Sequence, residues 1–109
     1  MPDTLLVFAN APNQACAERI AQALIAQHVA ACVNILPSCQ SYYHWRGKVE
    51  HANEIPMLIK TSKVAWPKLE QTFCALHPYE LPELIAVPIS LGLPNYLNWI
   101  IQETPTTPL

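Results

Sequence analysis

At 109 residues the chain has the length of a single domain, long enough to bury a core without disulfides or a structural metal. Charged residues make up 13% of it and apolar residues 51%, against a usual charged share of about a quarter; too few charges are present to coat a small monomer, so some apolar surface is expected to meet another subunit. A net charge of −2 with six scattered Lys and Arg leaves no basic stripe for phosphates, so no nucleic-acid partner is expected. The apolar runs at 5–9 and 84–89 fall far short of the roughly 20 residues of a spanning helix, and no membrane partner is expected.

The start, Met1-Pro2-Asp3, has no basic region, long apolar core or cleavage site, so the cytoplasm is the expected compartment. There Cys16, Cys32, Cys39 and Cys74 should stay reduced, and their spacing contains no Cys-x-x-Cys pair; small core or interface residues is the favoured reading.

Residues 4–9 are apolar and precede a turn cluster, Asn10-Ala11-Pro12-Asn13, which predicts a buried first strand. Asn13 can cap a helix over 14–28, with Ala17, Ile20, Ala21 and Leu24 on one face. Residues 31–36 suit a second strand, interrupted at Pro37 and Ser38 by a bulge or bend and resumed over 40–46. Gly47 marks a hairpin tip that needs positive φ, followed by a long third strand over 49–60. Along that arm Val49, His51, Asn53, Ile55, Met57 and Ile59 share a face whose far half is mixed, so the tip should project beyond the domain's own core.

Ser62 can cap a second helix over 63–76, with Leu69, Phe73 and Leu76 in one stripe, Pro67 in its first turn and His77-Pro78 at its end. A fourth strand over 84–90 tolerates Pro88 at an edge or at its end. Gly92-Leu93-Pro94 then introduces a terminal helix carrying Leu97, Ile100 and Ile101. The whole of 1–109 reads as one ferredoxin-like α+β domain, βαββαβ with a long hairpin between its second and third strands and an extra C-terminal helix. Its ordered core spans about 4–103, and 104–109 is expected to be a loose tail.

Fold alone does not name a function, and the candidate residues point away from catalysis. No Gly-x-Ser-x-Gly or comparable nucleophile–base signature occurs. The loop after the first strand has neither the arginine nor the glycines with which related folds hold acyl phosphates, and the third strand has none of the aromatics of an RNA-recognition sheet. The chain is therefore expected not to be an enzyme, although a composite site at a subunit boundary leaves no trace in one sequence. His28, His44 and His51 read as surface or packed histidines; His77 is the exception, because it ends a helix where the dipole is negative. Tyr42, Tyr43 and Trp45 cluster near the projecting tip, where large aromatic surface is costly to leave wet, and are the candidate subunit-interface residues. Glu54 and Lys60 lie on the arm where a charge must be paired, solvated or facing a ligand; an interface salt bridge is the plain alternative.

Four segments carry a family resemblance: Ala31-Cys32-Val33-Asn34-Ile35-Leu36-Pro37, Tyr42-Tyr43-His44-Trp45-Arg46-Gly47-Lys48-Val49-Glu50, Leu58-Ile59-Lys60-Thr61 and His77-Pro78-Tyr79-Glu80-Leu81-Pro82-Glu83-Leu84. Together they resemble the CutA divalent-cation-tolerance family, in register across residues 4–101. The resemblance implies a homotrimer, similar in shape to the PII signalling proteins, whose long hairpins pair between subunits and whose role is tolerance of divalent metal ions. It implies copper binding for members with a cysteine ending the first strand and two histidines before Pro-Tyr; here Ala9 and Leu76 stand at two of those places, leaving His77 as the metal-ligand candidate. By analogy with PII proteins it also implies a cleft between subunits for a metal ion or small-molecule effector near Trp45, Glu54, Lys60 and Tyr79. The rival reading is a scaffolding trimer that engages another protein and has no metal role.

Overall fold

The computed structural model describes residues 3–105. Strand β1 (Thr4–Ala11) alternates, with Leu5, Val7, Ala9 and Ala11 buried and Leu6, Phe8 and Asn10 half-buried on the other face. It outruns the expected end at Ala9 because the long strand opposite offers Pro56 and Ile55 as partners for Asn10 and Ala11. Asn10 is therefore a strand residue and not part of the turn.

Helix α1 (Gln14–Ala26) begins where expected: the Asn13 side chain accepts the Cys16 N–H at 2.8 Å, satisfying one of the free donors of the first turn. Cys16, Ala17, Ile20 and Leu24 form its buried stripe. The helix stops at Ala26 rather than His28, which takes a left-handed conformation (φ 56°) while the Val29 and Ala30 N–H groups bond back to the Leu24 carbonyl. The expected second strand is two strands, β2 (Cys32–Ile35) and β3 (Cys39–Trp45), parted by the segment holding Pro37. Both pair with β4 (Lys48–Ser62).

Between β3 and β4 lies a two-residue turn in which Arg46 (φ 51°) and Gly47 (φ 79°) are both left-handed, the arrangement that matches strand twist in tight hairpins. The positive φ of Gly47 was legible in the sequence; that of Arg46 was not. At roughly 3.3 Å per residue, β4 reaches the molecule's 43 Å long dimension. β1 covers one of its edges only from Ile55 onward, so in this chain residues 48–54 pair with β3 alone.

Helix α2 (Trp66–Leu76) starts three residues later than expected, with Pro67 in its first turn and Ala65 at its N-cap. Ser62 does not cap it. Its hydroxyl is buried, donating to the Thr104 carbonyl at 3.3 Å and accepting the Thr104 hydroxyl at 2.7 Å. β5 (Leu84–Pro88) ends at Pro88, on the sheet's edge, and α3 (Pro94–Glu103) buries Ile100 while Ile101 is exposed. Thr104, assigned from sequence to the tail, is fully buried against Ser62 and Ile100; residues 106–109 lie outside the described residues.

The five strands are antiparallel in the order β2-β4-β1-β5, with β3 continuing along β4. That order is the split βαβ arrangement of the ferredoxin-like fold. The core lies between one sheet face (Val7, Ala9, Met57, Ile59) and the helices (Ile20, Leu24, Leu69, Phe73). Cys16 belongs to it, Cys32 and Cys39 are half-buried, and Cys74 is exposed on α2.

Candidate functional site

The second sheet face runs out along the hairpin. Side chains paired across an antiparallel ladder share a face, so Cys39, Ser41, Tyr43 and Trp45 lie with Glu54, Ala52, Glu50 and Lys48. Tyr42 and His44 point to the opposite side, where the Tyr42 ring stacks on His51 at 5.2 Å. The three candidate interface aromatics are thus divided between two faces. Tyr42 and Tyr43 are exposed and Trp45 is half-buried.

Residues 77–83 return toward this arm, and β1 fixes their path. The Asn10 carbonyl accepts from His77 Nε2 at 2.8 Å, and the Asn10 side-chain amide donates to Glu83 Oε1 at 3.0 Å. The Tyr79 N–H donates to His77 Nδ1 at 3.1 Å, which makes Nδ1 the acceptor and places the ring proton on Nε2. The His77 ring also lies 5.2 Å from Phe73 and 4.8 Å from Tyr79. Sequence reasoning missed Asn10, because its fixing role needs the strand to extend two residues further.

Between the arm and this segment lies a groove of about 990 Å³, lined among others by Tyr43, Trp45, Glu54, Tyr79, Glu80 and Glu83. An exposed ion pair, Arg46 to Glu80 at 2.9 Å, spans from the hairpin turn to the segment, and the Arg46 guanidinium lies over the Trp45 ring at 5.2 Å. Glu54 is buried in the groove. Burial raises the Tyr79 phenol above its ordinary value of 10.0, and the Glu54 carboxylate beside it raises it further.

Of the four effector-cleft candidates, the fold brings Trp45, Glu54 and Tyr79 together on this groove. Lys60 stands apart, further along β4, where its ammonium donates to Asn34 Oδ1 and approaches Cys32 Sγ at 4.0 Å. Tyr96 of α3 reaches the same place: its phenol is raised by burial and then by Cys32. Among the described residues neither Lys60 nor Glu54 forms an ion pair.

The sheet geometry and the long hairpin coincide with those of a known family. The family model described as CutA1 divalent ion tolerance protein matches residues 5–103. This chain belongs to that family. It is 42% identical over 99 residues to the divalent-cation tolerance protein CutA of Thermus thermophilus, covering 91% of this chain and 96% of that one. It is 42% identical over 97 residues to protein CutA of Mus musculus, covering 89% of this chain but 55% of the mouse protein; the chain spans about half the length of that relative. The crystal structure of CutA from Xylella fastidiosa superposes with a TM-score of 0.91 at 47% identity, over 94% of this chain and 99% of that one.

Within the family frame, the residues at the expected copper positions do not fit the metal. Ala9 is buried in the core and offers no donor, Leu76 offers none, and both His77 ring nitrogens are held in hydrogen bonds, whereas copper requires several soft or imidazole ligands. Among the described residues no group of three or more His, Cys, Asp or Glu side chains is placed to hold a metal ion. No helix among them is long and apolar enough to cross a membrane.

Proposed function

We propose that the protein is a cytoplasmic homotrimeric binding protein of the divalent-cation response, without catalytic activity, which acts through occupancy of a cleft beside its long hairpin by a small effector. Membership of the CutA family supports the link to divalent cations. The observation that carries the cleft is the groove itself, where Trp45, Glu54 and Tyr79 meet although they come from β3, β4 and the segment after α2. Its volume of about 990 Å³ is at the upper end of small-molecule sites, roughly 300–1,000 Å³.

The trimer is supported by the two-stranded arm with an unpaired edge, since an isolated two-stranded hairpin is marginal in water and an open edge invites a second chain. The non-catalytic reading rests on the sequence, which carries no Gly-x-Ser-x-Gly or comparable nucleophile–base signature.

A thermal-shift screen of the native oligomer against small molecules and divalent salts tests this reading. The expected result is a compound that raises Tm in the unaltered protein and not in Trp45→Ala. A screen in which nothing discriminates the two, together with a stoichiometric protein partner in cross-linking, would instead establish the scaffold. Recovery of the protein in a periplasmic or secreted fraction would overturn the cytoplasmic part.

A further inference from the structure

Among the described residues Cys32 is the one thiol with an ammonium in hydrogen-bond reach. It stands opposite Lys60 across the β2–β4 ladder, so both side chains leave the same sheet face, and Lys60 Nζ donates to its Sγ at 4.0 Å. Asn34, two residues along β2 and on that face too, accepts through Oδ1 from Lys60 and from the Cys32 S–H, the latter at 3.8 Å. Lys60 forms no ion pair among the described residues, so no carboxylate competes with the sulfur for its charge. Tyr96 comes in from α3, and its phenol hydrogen-bonds to the same sulfur. Side chains from β2, β4 and α3 thus meet at one half-buried thiol.

The remaining cysteines lack this setting. Cys16 is 2% exposed in the core, Cys39 meets the Ser41 hydroxyl at 3.8 Å, and Cys74 is exposed on α2. The cluster also stands clear of the exposed apolar side chains of the arm and of β5. β2 is the sheet edge opposite β5, and Tyr42, Tyr43 and Trp45 pair with the other end of β4.

A sulfur nucleophile opens a peroxide in one displacement. Sulfur donates an electron pair to the nearer oxygen, an S–O bond forms, the O–O bond breaks, and the farther oxygen leaves with that bond's electrons and must be protonated. Sulfur is oxidised to the sulfenic acid, and the peroxide is reduced to water or an alcohol. A positive charge beside the sulfur favours the electron-rich form that attacks, and N–H and O–H donors aimed at the site stabilise the charge on the leaving oxygen. Lys60 supplies the first, and Lys60 with Tyr96 the second.

We propose that Cys32 is an oxidation-sensitive thiol, converted to sulfenic acid by hydrogen peroxide or an organic hydroperoxide, with Lys60 and Tyr96 as the positioning residues that speed the step. The effector cleft plays no part in this chemistry, so either reading stands or falls without the other.

The test treats the reduced native oligomer with hydrogen peroxide in the presence of dimedone, which traps sulfenic acids, and follows each cysteine peptide by mass spectrometry over time. Cys74 in the same molecule is the reference. Cys32 is expected to be labelled about tenfold faster than Cys74 although it is the less exposed of the two. Lys60→Gln should lower the Cys32 rate by roughly fivefold or more and leave Cys74 unchanged, whereas Lys60→Arg, which keeps the charge, should retain most of it; Tyr96→Phe should give a smaller loss. If Lys60→Gln does not fold, the ratio of Cys32 to Cys74 in the unaltered protein decides the matter. A Cys32 rate equal to or below that of Cys74, or a full rate in Lys60→Gln, overturns the proposal. So does labelling of Cys32 only after the oligomer is dissociated, which would make the thiol a subunit contact.

Discussion

His77 shows how one side chain can be occupied by architecture. It joins the end of β1 to the segment after α2 through two hydrogen bonds and two ring contacts. His77→Ala leaves a buried carbonyl and an amide without partners, which costs about 1–3 kcal/mol; chemical denaturation should show that loss, and a titration with Cu(II) should give the same heat with and without the imidazole. Tyr79 and Tyr96, each partly exposed, contribute to the loss of stability at alkaline pH. Both phenols are raised above 10.0 by burial first, then by Glu54 and Cys32 respectively. The unfolded chain therefore ionises first, and stability, complete below pH about 10, declines as pH rises through the folded values. In Tyr79→Phe the decline of Tm above that pH should be shallower than in the unaltered protein; an identical slope would refute the assignment.

At the scale of elements, α2 is held by few residues. Only Leu69 and Phe73 are fully buried on it, and its N-cap has no side-chain hydrogen bond. Its attachment is therefore tertiary, and Phe73→Ala should destabilise the protein by roughly 3–5 kcal/mol in urea unfolding. The hairpin turn depends on local conformation instead. A Cβ at Gly47 would meet nothing within 4 Å, so Gly47→Ala should cost about 1–2 kcal/mol through its left-handed φ alone, with effector-cleft residues undisturbed.

For the whole molecule the decisive feature is apolar surface that one chain leaves bare. Ile85 and Val87 on β5, Tyr42 and Tyr43 on the arm, and Leu91 and Leu93 before α3 are all exposed, large apolar side chains of the kind that subunit contacts cover. The low charge content and the structure thus lead to the same expectation. Light scattering should give a mass near three chains, and Tyr43→Glu or Trp45→Glu should lower it; a stable monomer in dilute solution would refute the assembly.

The sequence by itself determined the element order, the hairpin tip at Gly47, the Asn13 cap, Pro67 in a first turn and the family, because each is set by local backbone chemistry or by a run of adjacent residues. Only the tertiary structure decided that Ser62 serves Thr104 and not α2, that Asn10 locks His77 and Glu83, and that Glu54 shares a groove with Tyr79 while Lys60 does not. Those outcomes depend on which distant strands lie side by side and in what register. A side chain able to make a local hydrogen bond is taken by a distant partner when the fold buries both together, and no spacing along the chain records that choice.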